Sequence, residues 1–285
     1  MSDVFLNTAI ITLARIFFKD TKAGMSIYLF ANLLNLMISY FKTDEVVFFE
    51  PNILIITTGF TLSTVLYFTS MYMNMSSTSF NNYYSLKILT VSVFSIILLR
   101  TKYRNLQWLG KFLIACGIIT QFISDKNLDF SYAIFTAMLS GIFNAFSTVM
   151  FEYKIKDRLT SIWRYLFTFN FCYVPFNLLC AILEYRQYQN ENAFLMVPFY
   201  ILVFLNVFAL QMSVYLSMKV DSFERTIISV VCNMISSILS DILLEFKFDL
   251  FSIISFVLVF SGTMIYICFK VGTEDIKKSK NKTCK

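Results

Sequence analysis

From about Ser77 to Leu99 the chain is apolar, with a single charged residue, Lys87, near its middle. A run of this length is enough to cross a bilayer, which takes about 20 helical residues. At about 1.5 Å per residue, Lys87 falls roughly 15 Å from the start, close to the membrane midplane. A lysine there costs at least about 2.5–3.5 kcal/mol, so it must face protein, water or an anion. No carboxylate shares its helix. Holding an anionic ligand is the use that suits such a cation best.

The rest of the chain repeats the pattern of apolar run and short polar turn. Ten spans are predicted, at about 4–18, 24–41, 53–73, 77–99, 106–124, 130–151, 161–183, 194–218, 226–244 and 250–269. Charged residues make up only 15% of the sequence, against about 25% in soluble domains, so the expected class is an all-α membrane protein. The first apolar segment lacks the layout of a removable signal peptide and is expected to remain as a span. Fifteen basic residues fall in the even-numbered loops and the C-terminal tail, and five in the odd-numbered loops. The positive-inside bias then puts both termini in the cytosol. The net charge of +6 sits largely in these loops and the tail, and speaks to topology rather than to nucleic acid.

Ten spans divide into five and five. Lys87 at span four is followed by the small pair Cys116-Gly117 on span five, and Arg225 at span nine by Ser261-Gly262 on span ten. An odd number of spans per half inverts the second half, an arrangement common in transporters with a site between the halves. The expected organisation is therefore 1–125 as a first five-helix repeat, 126–270 as a second, and 271–285 as a cytosolic basic tail. The small pairs let spans five and ten pack closely, within one chain or across a homodimer.

The chain has no histidine, and its six cysteines are scattered without metal-ligand spacing. No phosphate-binding glycine loop appears. No metal or cofactor is expected, and an enzyme is not. The residues that could carry chemistry lie on two spans. Tyr83, Tyr84, Lys87, Thr90 and Val91 would share one face of span four, giving a point charge flanked by aromatic rings. Arg225, Ser229, Asn233, Ser236 and Ser240 form a polar stripe along span nine. That stripe faces either another helix or a water-filled path. Lys111 and Arg15 lie near span ends, where they can snorkel to water. Asn74-Met75-Ser76 is a glycosylation sequon too close to the bilayer to expect occupancy.

The sequence Tyr84-Ser85-Leu86-Lys87-Ile88, a dozen apolar residues, the basic turn Arg100-Lys102-Arg104, then Leu106-Gln107-Trp108 and a helix ending at Gln121 resembles the nucleotide-sugar transporters. The nearest group carries CMP-sialic acid, UDP-galactose and UDP-N-acetylglucosamine. The resemblance implies exchange of a cytosolic nucleotide sugar for a lumenal nucleoside monophosphate across the Golgi or endoplasmic reticulum membrane. It also implies that Lys87 contacts the nucleotide with Tyr84 beside it, and that Arg225 stands where the family has a second lysine. Asn144, in a segment similar to a family motif ending at Glu152, aligns with a pocket-lining position, Trp163 with a tryptophan, and Ser213 with a threonine. The expected site is thus Lys87, Tyr84, Tyr83, Arg225, Asn144 and Ser213. The sequence departs from the family at Asn32 and Asn35, in place of a glutamate and a lysine, and at Thr64-Val65-Leu66, in place of Gln-Asn-Asn. Those departures leave open a transporter of another phosphorylated metabolite or organic anion.

Overall fold

A computed structural model describes residues 24–44, 46, 50–73, 77–124, 132–156, 161–188, 197–243 and 250–283. The predicted span at 4–18 with Arg15, the 74–76 sequon and Lys126 lie outside the described residues. Ten helices follow: α1 (Gly24–Lys42), α2 (Pro51–Tyr72), α3 (Ser77–Tyr84), α4 (Leu86–Leu99), α5 (Asn105–Ser124), α6 (Tyr132–Lys154), α7 (Ile162–Tyr188), α8 (Val197–Lys219), α9 (Ser222–Leu243) and α10 (Leu250–Thr283). Helices α3 and α4 together make one rod. No strand occurs among the described residues. Seven of the rods are long and apolar enough to cross a membrane by length and composition. This is an all-α membrane protein.

Helices are the expected solution, because lipid offers no partner to an open backbone amide. The same demand falls on the hydroxyls buried in the bundle. Thr57 and Thr61 donate to Ile53 O at 2.6 Å and Thr57 O at 2.9 Å, one turn back on their own helix. Thr69, Ser92, Thr148, Ser217 and Thr263 do the same.

Two antiparallel pairs frame the bundle. Helices α5 and α10 cross where Gly110 meets Gly262. A methyl added at Gly110 would stand 2.6 Å from Gly262 O, so only hydrogens fit between the backbones. A turn or two further on, Ser255 Oγ donates to Gly117 O at 2.7 Å. The small residues of spans five and ten therefore meet within one chain. In the second pair, α1 and α7, Glu184 accepts from Met25 N–H at 2.9 Å, Ser26 N–H at 3.1 Å and the Ser26 hydroxyl at 3.2 Å. The Tyr72 hydroxyl also donates to it. This carboxylate caps the first turn of α1, where exposed amides and the helix dipole favour negative charge. At the far end of the pair, Lys42 lies 4.4 Å over the Trp163 ring.

Three element boundaries carry the differences from the sequence reading that bear on packing. Span four is interrupted at Ser85, which keeps right-handed helical dihedrals and its N–H bond to Asn81 O at 2.9 Å, while the Ile88 N–H reaches only three residues back, to Ser85 O at 2.9 Å. Span seven was expected to end at 183, where hydropathy falls, but the helix continues to Tyr188 because Glu184 finds donors on α1. Helix α10 runs on to Thr283, through the basic run placed beyond the last span. Lys111, expected to snorkel, is instead 3% exposed. Its ammonium stands 3.1 Å from the Tyr103 ring centre and 4.3 Å from that of Trp108, so aromatic faces take the place of water.

Candidate functional site: a cationic cavity between helices

A cavity of about 300 Å³ lies among α1, α2, α3, α4, α6, α7, α8 and α9. Its size is at the lower end of ligand pockets, which span about 300–1,000 Å³. Two cations line it, Lys87 and Arg225, and none of the lining residues is acidic. Each cation is held by a neutral hydroxyl. Lys87 Nζ donates to Ser229 Oγ at 3.0 Å and lies 4.2 Å over the Tyr84 ring. The Arg225 guanidinium donates to Ser213 Oγ at 2.6 Å.

Helix periodicity delivers these groups. Arg225, Ser229 and Asn233 recur every four residues on α9 and face the cavity together. The side chains of Ser236 and Ser240 lie outside the described residues. On α6, Asn144, Thr148 and Phe151 line one wall. On α7, Tyr165, Phe169 and Tyr173 stack along another, with ring centres 5.7 Å and 5.2 Å apart. Tyr173 shares a 2.9 Å hydrogen bond with Thr64 of α2. The wall is thus amide, hydroxyl and aromatic, with its positive charge on α4 and α9.

Of the six residues expected from sequence, Lys87, Tyr84, Arg225, Asn144 and Ser213 are brought to this cavity. Tyr83 is not. It is fully buried in the apolar core with Ile88, Val91 and Met234. Tyr84, three residues before Lys87, lines the cavity, whereas Tyr83 packs into the core cluster. Tyr28, Tyr173 and Asn206 also line the cavity without having been expected. The aromatic repeat 165, 169, 173 is visible in the sequence, but it lies in a helix so rich in aromatics that the stripe does not stand out. Asn32 and Thr64, two of the departures from the nucleotide-sugar transporters, are in the wall. Asn35 lies behind it, accepting from Gln211 at 3.0 Å.

No family model matches the chain. A UDP-galactose transporter of Schizosaccharomyces pombe is 28% identical over 211 residues, 68% of this chain and 58% of that protein. The chain is similar to nucleotide-sugar transporters. It spans 58% of the length of that curated relative. A solved structure described only as a crystal structure of a protein superposes with a TM-score of 0.65 at 13% identity. The match covers 94% of this chain and 98% of the other, and shows that the two share a fold.

Proposed function

We propose that this protein is a transporter rather than an enzyme, and that it exchanges a nucleotide sugar for a nucleoside monophosphate across the Golgi or endoplasmic reticulum membrane. The expected cargo is a UDP-sugar such as UDP-galactose or UDP-N-acetylglucosamine. The observation that carries this reading is the pair Lys87 and Arg225 facing one carboxylate-free cavity inside a membrane bundle. The two cations are bound by serine hydroxyls and, for Lys87, the Tyr84 ring, with no carboxylate among the described lining residues, and phosphate oxygens would supply the counter-charge. Aromatic and amide groups around them suit a base and a sugar. Similarity to a UDP-galactose transporter points the same way.

Alternating access between two inverted halves is part of the proposal. Counting the 4–18 segment as span one, α1 packs on α7, α5 on α10, and α9 on α3 and α4. Each pair joins a span to the one five places on, as two swapped five-span repeats would. Rocking of one half against the other would expose the cavity to each side in turn. Asn32 and Thr64 in the wall favour a second reading, a transporter of another phosphorylated metabolite or organic anion on the same scaffold. Uptake of radiolabelled UDP-galactose and UDP-N-acetylglucosamine into proteoliposomes preloaded with UMP, CMP or GMP decides between them. Trans-stimulation by one nucleotide is expected. Uptake of a non-nucleotide anion with no response to any preload would replace the first reading with the second.

A further inference from the structure

We propose that Gly141 on α6 is a positioning residue for Lys87: the turn at Ser85 rests on its bare Cα, and that contact fixes where the ammonium enters the cavity. The inference rests on the reading of the cavity as the transport site. Two features on α3–α4 set the turn. Both the Ser85 amide and its hydroxyl bond Asn81 O, and the Ile88 N–H reaches only three residues back, to Ser85 O at 2.9 Å. The tightened turn from Ser85 to Ile88 therefore contains Lys87.

On the facing helix, a methyl at Gly141 would stand 2.9 Å from Tyr84 O, 3.4 Å from Lys87 N and 3.6 Å from Lys87 Cβ. The nearest of these atoms is backbone and cannot rotate away. Nor is α6 free to retreat, because the neighbouring residue is clasped to α2. Ser63 Oγ donates to Ser140 O at 2.9 Å, and Ser140 Oγ donates back to Ser63 O at 2.8 Å. The same contact sets the Tyr84 ring, which lies under the ammonium with Phe80 stacked behind it at 5.4 Å. Gly141 also shares its helix face with Asn144, Thr148 and Phe151 of the cavity wall, at offsets of three, seven and ten residues. One α6 surface thus supports Lys87 and shapes the space in front of it.

An alanine at 141 must push the turn by about half an ångström, the tolerance within which a binding group keeps its geometry. Gly141→Ala should raise the KM for UDP-galactose in UMP-loaded proteoliposomes about five- to tenfold, with turnover at saturation little changed. Stabilisation of the detergent-solubilised protein by UMP should shrink in parallel. Gly117→Ala is the control, because its added methyl meets Ser255 O at 2.9 Å between α5 and α10, away from the cavity. It should lower thermal stability and leave KM as in wild type. Ser85→Ala adds no atoms and loosens the turn from its own side by removing the hydroxyl bond to Asn81 O, so it should give the same KM defect and decides the matter if Gly141→Ala does not fold. A wild-type KM in folded Gly141→Ala, or in Ser85→Ala where Gly141→Ala does not fold, overturns the proposal, as does an equal rise in Gly117→Ala. Failure of the parent reading looks different: wild type would exchange no nucleotide sugar, or Lys87→Gln would exchange it normally.

Discussion

Lys87 is 2% exposed, yet its ammonium is bound by one serine hydroxyl and one tyrosine ring. If that charge meets a ligand phosphate, Lys87→Gln should abolish exchange while expression and targeting stay normal. Lys87→Arg should keep part of the activity, since the charge survives on a bulkier planar group. Loss of one charge-assisted contact costs about 1.5–3 kcal/mol, roughly ten- to over a hundredfold in affinity. Arg225→Gln should show a defect of the same kind. Radiolabelled exchange and nucleotide-binding assays on the purified variants check all three, and wild-type exchange by Lys87→Gln would make the lysine structural. Lys87 was legible in the sequence because a lone charge in an apolar run has so few acceptable surroundings. Tyr83 was misplaced because i, i+4 spacing gives a shared side of a helix but not what each side chain meets there, and Tyr83 packs into the core with Ile88 and Val91. The Thr64–Tyr173 contact joins residues far apart in sequence, and neither residue type announces it.

At the scale of helices, the α5–α10 crossing depends on what is missing from Gly110, Gly117 and Gly262. Gly117→Leu would drive a branched side chain into Val259 and the Ser255 carbonyl. It should impair folding, seen as reduced monodisperse yield and a lower melting temperature, and leave nucleotide affinity intact in whatever fraction folds. A normally folded variant that lost only affinity would contradict this assignment. The sequence offered the small pairs and left their partner open between one chain and two. Antiparallel contacts of Gly110 with Gly262, and of Gln121 Nε2 with Ser252 Oγ at 3.2 Å, place that partner in the same chain. The end of α7 was missed for a different reason. Hydropathy stops where a charge begins, and Glu184 is tolerated only because α1 brings amides and hydroxyls to it.

For the whole molecule, the placement of basic residues makes a prediction that the helices alone do not. Cysteines introduced at 102 and 126 should react with membrane-impermeant reagents from opposite sides, the first from the cytosol and the second from the lumen. Labelling of both from one side would sink the ten-span arrangement. The runs themselves were read within a few residues of the helices α1 to α9, because the length of a bilayer crossing leaves little freedom. The hydroxyls that bond back to their own helix have a mechanical consequence. Thr57, Thr61, Ser92, Thr148 and Thr263 need no neighbour, so a rod carrying them can slip past the next without breaking any of those bonds. Under the proposed rocking, such faces would serve as low-friction bearings. Other bonds cross between rods, Ser63 with Ser140 and Glu184 with the start of α1 among them, and in that proposed motion these would be the rivets that make rods travel together.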